Sequence, residues 1–209
     1  MFDMFEKSLN VTQFISSIFD SKIGNEVKLI QETNLSLGNY VKFKSISAKG
    51  YTVFVRKPYW ANNYSVKLND KNLNTNCNKN GFIEIVLDKG EHEIELTFNY
   101  EVIRIHQDFE KDNVGEVAIQ YGSLVYCAES IDNFDFDDPN AIAIDKNGDF
   151  KIIEDGKTFI RTPDDGKDVN IRTNFLKVNG YINGEKEELT LIPFYLRGNR
   201  HPKSQCMIV

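Results

Sequence analysis

The chain has 209 residues, 41% of them hydrophobic and 12% aromatic, with 25 basic against 31 acidic side chains and a net charge of -6. That length suits one large or two small domains with buried cores, and the acidic balance lacks the basic face that nucleic-acid binding needs. The sequence holds no run of about 18 apolar residues to cross a membrane as a helix.

The N-terminal segment, residues 1–21, carries apolar side chains at Phe5, Leu9, Phe14, Ile15, Ile18 and Phe19. It suits either a short helix with one buried face or a strand entering a sheet. From Glu26 the period is two: Val27, Leu29 and Gln31 share a face, and Tyr40, Val41, Phe43 and Ile46 follow a turn. Tyr51–Val55, Tyr64–Leu68, Gly81–Leu87 and Glu93–Phe98 continue the series, broken by turns at Asn69-Asp70-Lys71 and Asp88-Lys89-Gly90. Strands about 8–12 residues apart with Gly and Asn turns predict a sandwich or jelly roll. The polar stretch Gln107–Asn113 reads as a link. After it come Val117–Cys127, an acidic loop, Ala141–Ile144, Phe175–Val178 and Leu189–Tyr195. Asn147-Gly148, Asn179-Gly180 and Asn183-Gly184 are expected in type I′ turns, because Asn and Gly tolerate positive φ. The reading is all-β: two consecutive antiparallel, jelly-roll-like β-sandwiches over residues 22–107 and 108–209.

Candidate chemistry is sparse. Asp132, Asp135, Asp137 and Asp138 crowd the acidic loop and offer oxygens to calcium. The loop lacks the Gly and the terminal Glu of a calcium loop, so a solvated loop is the competing reading; Asp164-Asp165-Gly166 with Asp168 reads as a turn. His92, His106 and His201 share no ligand spacing, and only His201 and Cys206 lie near each other. Cys77, Cys127 and Cys206 form an odd set, which predicts free thiols in a reducing compartment. The first residues, Met1-Phe2-Asp3-Met4-Phe5-Glu6, lack a basic and then apolar leader. Together these give a cytoplasmic expectation, with no cofactor or metal. Sugar contact needs exposed rings beside planar polar groups. Tyr59, Trp60 and Tyr64 form one such group, and Tyr195, Arg197, Asn199 and Arg200 another. The alternatives are a Trp60 ring in the core and an Arg200 guanidinium in a buried ion pair.

Three segments carry a resemblance. Gly115–Glu129 reads Gly-Glu-Val-Ala-Ile-Gln-Tyr-Gly-Ser-Leu-Val-Tyr-Cys-Ala-Glu; Leu191-Ile192-Pro193-Phe194-Tyr195 precedes Asn199-Arg200; and Val55-Arg56-Lys57-Pro58-Tyr59-Trp60-Ala61 stands upstream. Taken in chain order they resemble the β-sandwich region of the β-L-arabinofuranosidase family, glycoside hydrolase family 127. The resemblance implies that Phe14–Phe19 is a strand and that the chain begins about where the family's catalytic (α/α)6 barrel ends. In the family that barrel holds zinc through a Glu and three Cys, one the proposed nucleophile, and an adjacent Cys-Cys pair belongs to it. No two cysteines are adjacent here, so no catalytic residue is carried over. Tyr121, Ser123 and Arg197-Gly198 stand where the family has Arg, Pro and Trp-Ala, side chains that could seat a sandwich on the barrel. The expectation is a non-catalytic accessory module for support, for docking to a separately encoded barrel chain or for self-association, with weak glycan binding. The alternative is one component of a split or truncated glycoside hydrolase acting on arabinose-containing glycans.

Overall fold

A computed structural model of the chain describes residues 2–5, 7–22, 26–106, 115–133, 138, 141–161, 166–200 and 206–207; at 2–5 and 206–207 only strand pairing is described. The polar stretch Gln107–Asn113, Asp135, Asp137, Asp164, Asp165 and His201 fall outside these residues. The chain forms two compact units, Met1–Tyr100 and Glu101–Val209. Both are built of strands, and no α-helix occurs among the described residues.

The first unit is a sandwich of two sheets. One has the order β1 (Phe2–Phe5), β2 (Ser8–Val11), β6 (Tyr51–Arg56) and β9 (Phe82–Leu87). The other has the order β3 (Ser17–Ser21), β4 (Val27–Thr33), β5 (Tyr40–Ser47), β10 (Gly90–Asn99), β7 (Asn63–Leu68) and β8 (Lys71–Leu73). Among the described residues the N-terminal segment is therefore strands β1, β2 and β3 and not helix, with residues 12–16 as a connection, so that Phe14 precedes the strand expected over Phe14–Phe19 and β3 begins only at Ser17. Period-two patterning explains this: Leu9 and Val11 are buried while Ser8 and Asn10 are half-buried. All pairings are antiparallel except β2 with β6, whose parallel course is allowed by the long return through β3, β4 and β5. Leu9, Val53, Val55, Ile83 and Ile85 from the first sheet meet Leu29, Phe43, Ile94, Leu96 and Phe98 from the second in one core. Burying each side chain contributes about 1.5–3 kcal/mol.

Two polar groups inside this core have defined partners, whereas Gln31 Oε1 and Ser47 Oγ have none among the described residues. Ser45 Oγ and the Tyr51 hydroxyl lie 2.7 Å apart, and Gln31 Nε2 donates to the carbonyls of Gln13 and Ile15 at 3.1 and 2.6 Å. Burial pushes the Tyr51 phenol above its ordinary pKa, and the Ser45 hydrogen bond pulls the other way. With the folded value raised, this stabilisation is intact below the unfolded value of about 10 and is lost as pH rises through the folded value. Alkaline titration followed at 295 nm is expected to show a late phenolate that forms together with loss of the β signal and is absent in Tyr51→Phe. Ionisation of all nine tyrosines near pH 10 with the fold intact contradicts this.

The second unit is sandwich-like but built from one continuous ladder. Its order is β11 (Val102–His106), β12 (Val117–Tyr121), β13 (Leu124–Glu129), β17 (Glu185–Pro193), β16 (Asp168–Ile182) and β14 (Ile142–Ile144). β15 (Lys151–Arg161) pairs with β16, and β18 (Cys206–Met207) with β13. β11 is laddered to β12 over its whole length and so belongs to this unit, although alternation alone leaves it with the preceding strands. Ile119, Tyr126, Leu176, Val178, Leu189 and Leu191 form the main core. Cys127, Ile192 and Leu196 form a smaller cluster with Ile160, Ile171 and Phe175.

Of the three Asn-Gly pairs, only Asn183-Gly184 makes the expected hairpin turn, with φ of 52° and 83° between β16 and β17. Asn179-Gly180 lies inside β16. A Cβ at Gly180 would stand 2.4 Å from both the Ala143 carbonyl oxygen and Leu189 Cδ1, so this glycine serves close approach of neighbouring strands. Asn147-Gly148 closes on Asp145, whose carbonyl accepts from Gly148 N–H at 2.9 Å; Gly148 is not at positive φ.

Candidate functional site

The C-terminal group of sequence candidates comes together where β17 ends. After Pro193 a 3-10 turn, Phe194–Leu196, buries Leu196 and leaves Phe194 and Tyr195 exposed. The Tyr195 hydroxyl and Thr173 Oγ1 lie 3.2 Å apart, Asn199 Nδ2 donates to the Tyr195 carbonyl at 3.1 Å, and the Arg197 guanidinium lies over the Phe194 ring at 5.4 Å. Arg200 points the other way, into the protein, and is only 4% exposed. Its Nε donates to Glu129 at 2.8 Å and its Nη1 to Asp132 at 3.0 Å, while Nη2 donates to both carboxylates. Glu129 is fully buried and also accepts from Gly198 N–H at 2.6 Å. Burial disfavours the Arg200 cation, but the hydrogen bonds and charges of Asp132 and Glu129 outweigh it, and the net shift is upward. Of the sugar-contact candidates here, Tyr195, Arg197 and Asn199 face solvent. Arg200 is an internal ion-pair residue that ties the last turn to β13.

The upstream aromatic group divides in the same way. Tyr59 is 76% exposed. Trp60 is half-buried, edge-on to Phe98 at 5.4 Å and to Tyr100 at 5.3 Å. Tyr64 is also half-buried, and its hydroxyl donates to the Thr75 carbonyl at 3.2 Å. Trp60 thus extends the core of the first unit, and Tyr59 alone of the three is fully at the surface.

In the acidic loop, Asp132 is engaged by Arg200, Asp138 is exposed, and Asp135 and Asp137 lie outside the described residues. Among the described residues no three His, Cys, Asp or Glu side chains converge as a metal site. His92 donates from Nε2 to the Asp88 carbonyl and accepts at Nδ1 from Asn69. Neither Cys77 nor Cys127 is in a disulfide, and Cys127 is buried.

Two surfaces were not legible in the sequence. On the outer face of the six-stranded sheet, a groove of about 210 Å³ is lined by Ile30, Glu32, Lys42, Lys44, Lys67, Asp70, Glu93 and Glu95. Register places Lys67, Glu95, Lys42 and Glu32 in one row and Glu93, Lys44 and Ile30 in the next. Lys42 and Lys67 each reach Glu95 at 3.3 Å, and their hydrogen bonds hold its carboxyl below the usual range. In the second unit, Ile103, Gln120 and Val125 share a row across β11, β12 and β13. Ile105 lies two residues along from Ile103, and Phe194 follows Pro193, the partner of Tyr126. Ile103, Ile105, Val125 and Phe194 are all exposed. Ile103, Ile105 and Val125 form an apolar stripe interrupted by buried Gln120, on the ladder face that also carries buried Cys127, with Phe194 in the turn after β17.

Fold and surfaces together define a tandem of β-sandwich modules. The profile of the GH127 β-L-arabinofuranosidase middle domain matches residues 8–100, and that of the glycoside hydrolase family 127 C-terminal domain matches residues 101–209. The chain belongs to glycoside hydrolase family 127. Its fold is similar to that of a GH127 β-L-arabinofuranosidase from Geobacillus stearothermophilus T6, at 22% identity and a TM-score of 0.73, covering 99% of this chain and 34% of that one. A second solved GH127 β-arabinofuranosidase gives 20% identity, a TM-score of 0.74 and coverage of 99% and 35%. A third structure, described as a glycoside hydrolase, gives 23%, 0.67, and 91% and 33%. The chain thus spans about a third of the length of these solved relatives. No curated protein matches it. No helix among the described residues is long and apolar enough to cross a membrane.

Proposed function

We propose that the chain is a non-catalytic accessory module of family 127 that supports and docks onto a catalytic domain of the family. The observation that carries this reading is the match of residues 8–100 to the family's middle domain and of residues 101–209 to its C-terminal domain. The interrupted apolar stripe of Ile103, Ile105 and Val125, with Phe194, supports it, because apolar side chains exposed together on one face can mark an interaction site. Self-association through the same stripe is the competing use of it. If this chain and a catalytic domain together form an active enzyme, this one is the supporting part of a split β-L-arabinofuranosidase; the Geobacillus stearothermophilus T6 relative is a β-L-arabinofuranosidase, which favours that second reading. Tyr195, Arg197 and Asn199 are the residues that would add weak glycan contact. A cytoplasmic location is part of this proposal, and Cys77 and Cys127, neither of them in a disulfide, support it because disulfides are rare in a reducing compartment.

Size-exclusion chromatography with light scattering tests the docking. Mixed with a family 127 catalytic domain, the chain is expected to elute as a complex. A charged double substitution in the stripe, Ile105→Lys with Val125→Glu, is expected to weaken that complex at least about tenfold, equivalent to 1.4 kcal/mol. A clean monomer in the mixture, or a complex indifferent to the substitutions, contradicts the proposal.

A further inference from the structure

We infer that the groove on the outer face of the six-stranded sheet in the first unit binds a neutral polyhydroxylated ligand, a single saccharide unit. The inference concerns a different surface from the docking stripe, and its choice of ligand rests on the family reading.

The lining decides the ligand class. Four carboxylates, of Glu32, Asp70, Glu93 and Glu95, stand among three ammonium groups, of Lys42, Lys44 and Lys67. An anion entering the groove meets the carboxylates, and a cation meets the lysines. A hydroxyl group suits both, since it donates one hydrogen bond and accepts others. Neighbouring hydroxyls on a sugar ring can therefore donate to Glu93 and accept from Lys44, which stand opposite each other in the β5–β10 register. Half-buried Ile30, beside Lys44 in the same row, offers an aliphatic surface to ring C–H groups. At about 210 Å³ the groove falls below the ~300 Å³ lower bound for drug-sized ligands, which suits one small ring.

The groups are also held in place. Glu95 anchors Lys42 from one neighbouring strand and Lys67 from the other. Asp70 sits at a φ of 63° in the turn between β7 and β8. Exposed pairs of this kind contribute only about 0–1 kcal/mol to folding, so fold stability does not require the alternation. The absence of an aromatic lining residue other than inward-facing Phe43 implies weak binding.

Backbone amide NMR on the full chain tests the inference, with methyl β-L-arabinofuranoside and L-arabinose as probes and glycine as a zwitterionic control. Saturable shifts are expected at Lys42, Lys44, Glu93 and Glu95 with the saccharides and not with glycine. The surface double variant Lys44→Met with Glu93→Gln, its other amides unmoved, is expected to bind at least about tenfold more weakly. Shifts confined to Tyr195 and Asn199, equal shifts with glycine, or no saturable shift with either sugar overturn it. The docking assay reads a separate outcome: complex formation without saccharide shifts sinks this inference alone, and saccharide shifts without a complex sink the docking proposal alone.

Discussion

Replacing Arg200 with Met is expected to destabilise the second unit by about 3–5 kcal/mol, the cost of removing one partner from a buried ion pair. The residue left behind sets this magnitude. Glu129 has no solvent exposure and, among the described residues, would keep only the Gly198 N–H beside its carboxylate. Asp132 is partly exposed and can recover water, so Glu129 dominates the loss. Arg200 also holds Thr158 Oγ1 on β15 at 3.4 Å, and Arg161 N–H donates to the Asn199 carbonyl next to it at 2.8 Å. The damage should therefore spread to the β15–β16 pair. Hydrogen exchange at β13 reads the effect directly, with acceleration of about a hundredfold or more expected. Replacing all three groups with apolar residues, Arg200→Met with Glu129→Leu and Asp132→Ala, is expected to restore most of the protection, since no buried charge remains unpaired. Protection unchanged in the single variant shows that the cluster does not stabilise the unit.

Phe98→Ala is expected to destabilise the first unit by about 3–5 kcal/mol, the range for truncating a fully buried aromatic side chain. Phe98 is the ring that Phe14 and Trp60 share, with centroids 5.4 Å away in both cases. Its loss opens a cavity on the connection between β2 and β3 and beside Trp60 at once. Trp60 is the sole tryptophan of the chain, so its emission reports this unit alone. The variant should show red-shifted emission and a lower urea midpoint for that signal, with exchange at β13 unchanged. A midpoint shift corresponding to less than about 1 kcal/mol would mean that Trp60 does not stand on Phe98.

The sequence made the strands legible because each strand half-faces a core. Val53 and Val55 alternate with Thr52 and Phe54, and Ile94, Leu96 and Phe98 with Glu93, Glu95 and Thr97. Alternation fixes which face a residue takes but not which strand lies beside it. The order β3-β4-β5-β10-β7-β8, which brings Lys67 and Lys42 to opposite sides of Glu95, was therefore hidden, and the groove with it. The Arg200–Glu129 pair spans 71 positions and has no local signal; Asn-Arg at the end of the chain only raised it as an alternative. The Asn-Gly rule misread residues 179–180 because it registers tolerance of positive φ, whereas Gly180 answers crowding by Ala143 and Leu189. The N-terminal segment stayed ambiguous because its apolar residues fit both periods until strand partners are known.

Hydrolysis of an aryl β-L-arabinofuranoside by the purified chain, alone and after addition of a family 127 catalytic domain, tests the division of labour most directly. The account predicts no turnover above background by the chain alone and complex formation with the catalytic domain. Turnover by the lone chain, lost when one of its own side chains is substituted with the fold intact, would contradict it.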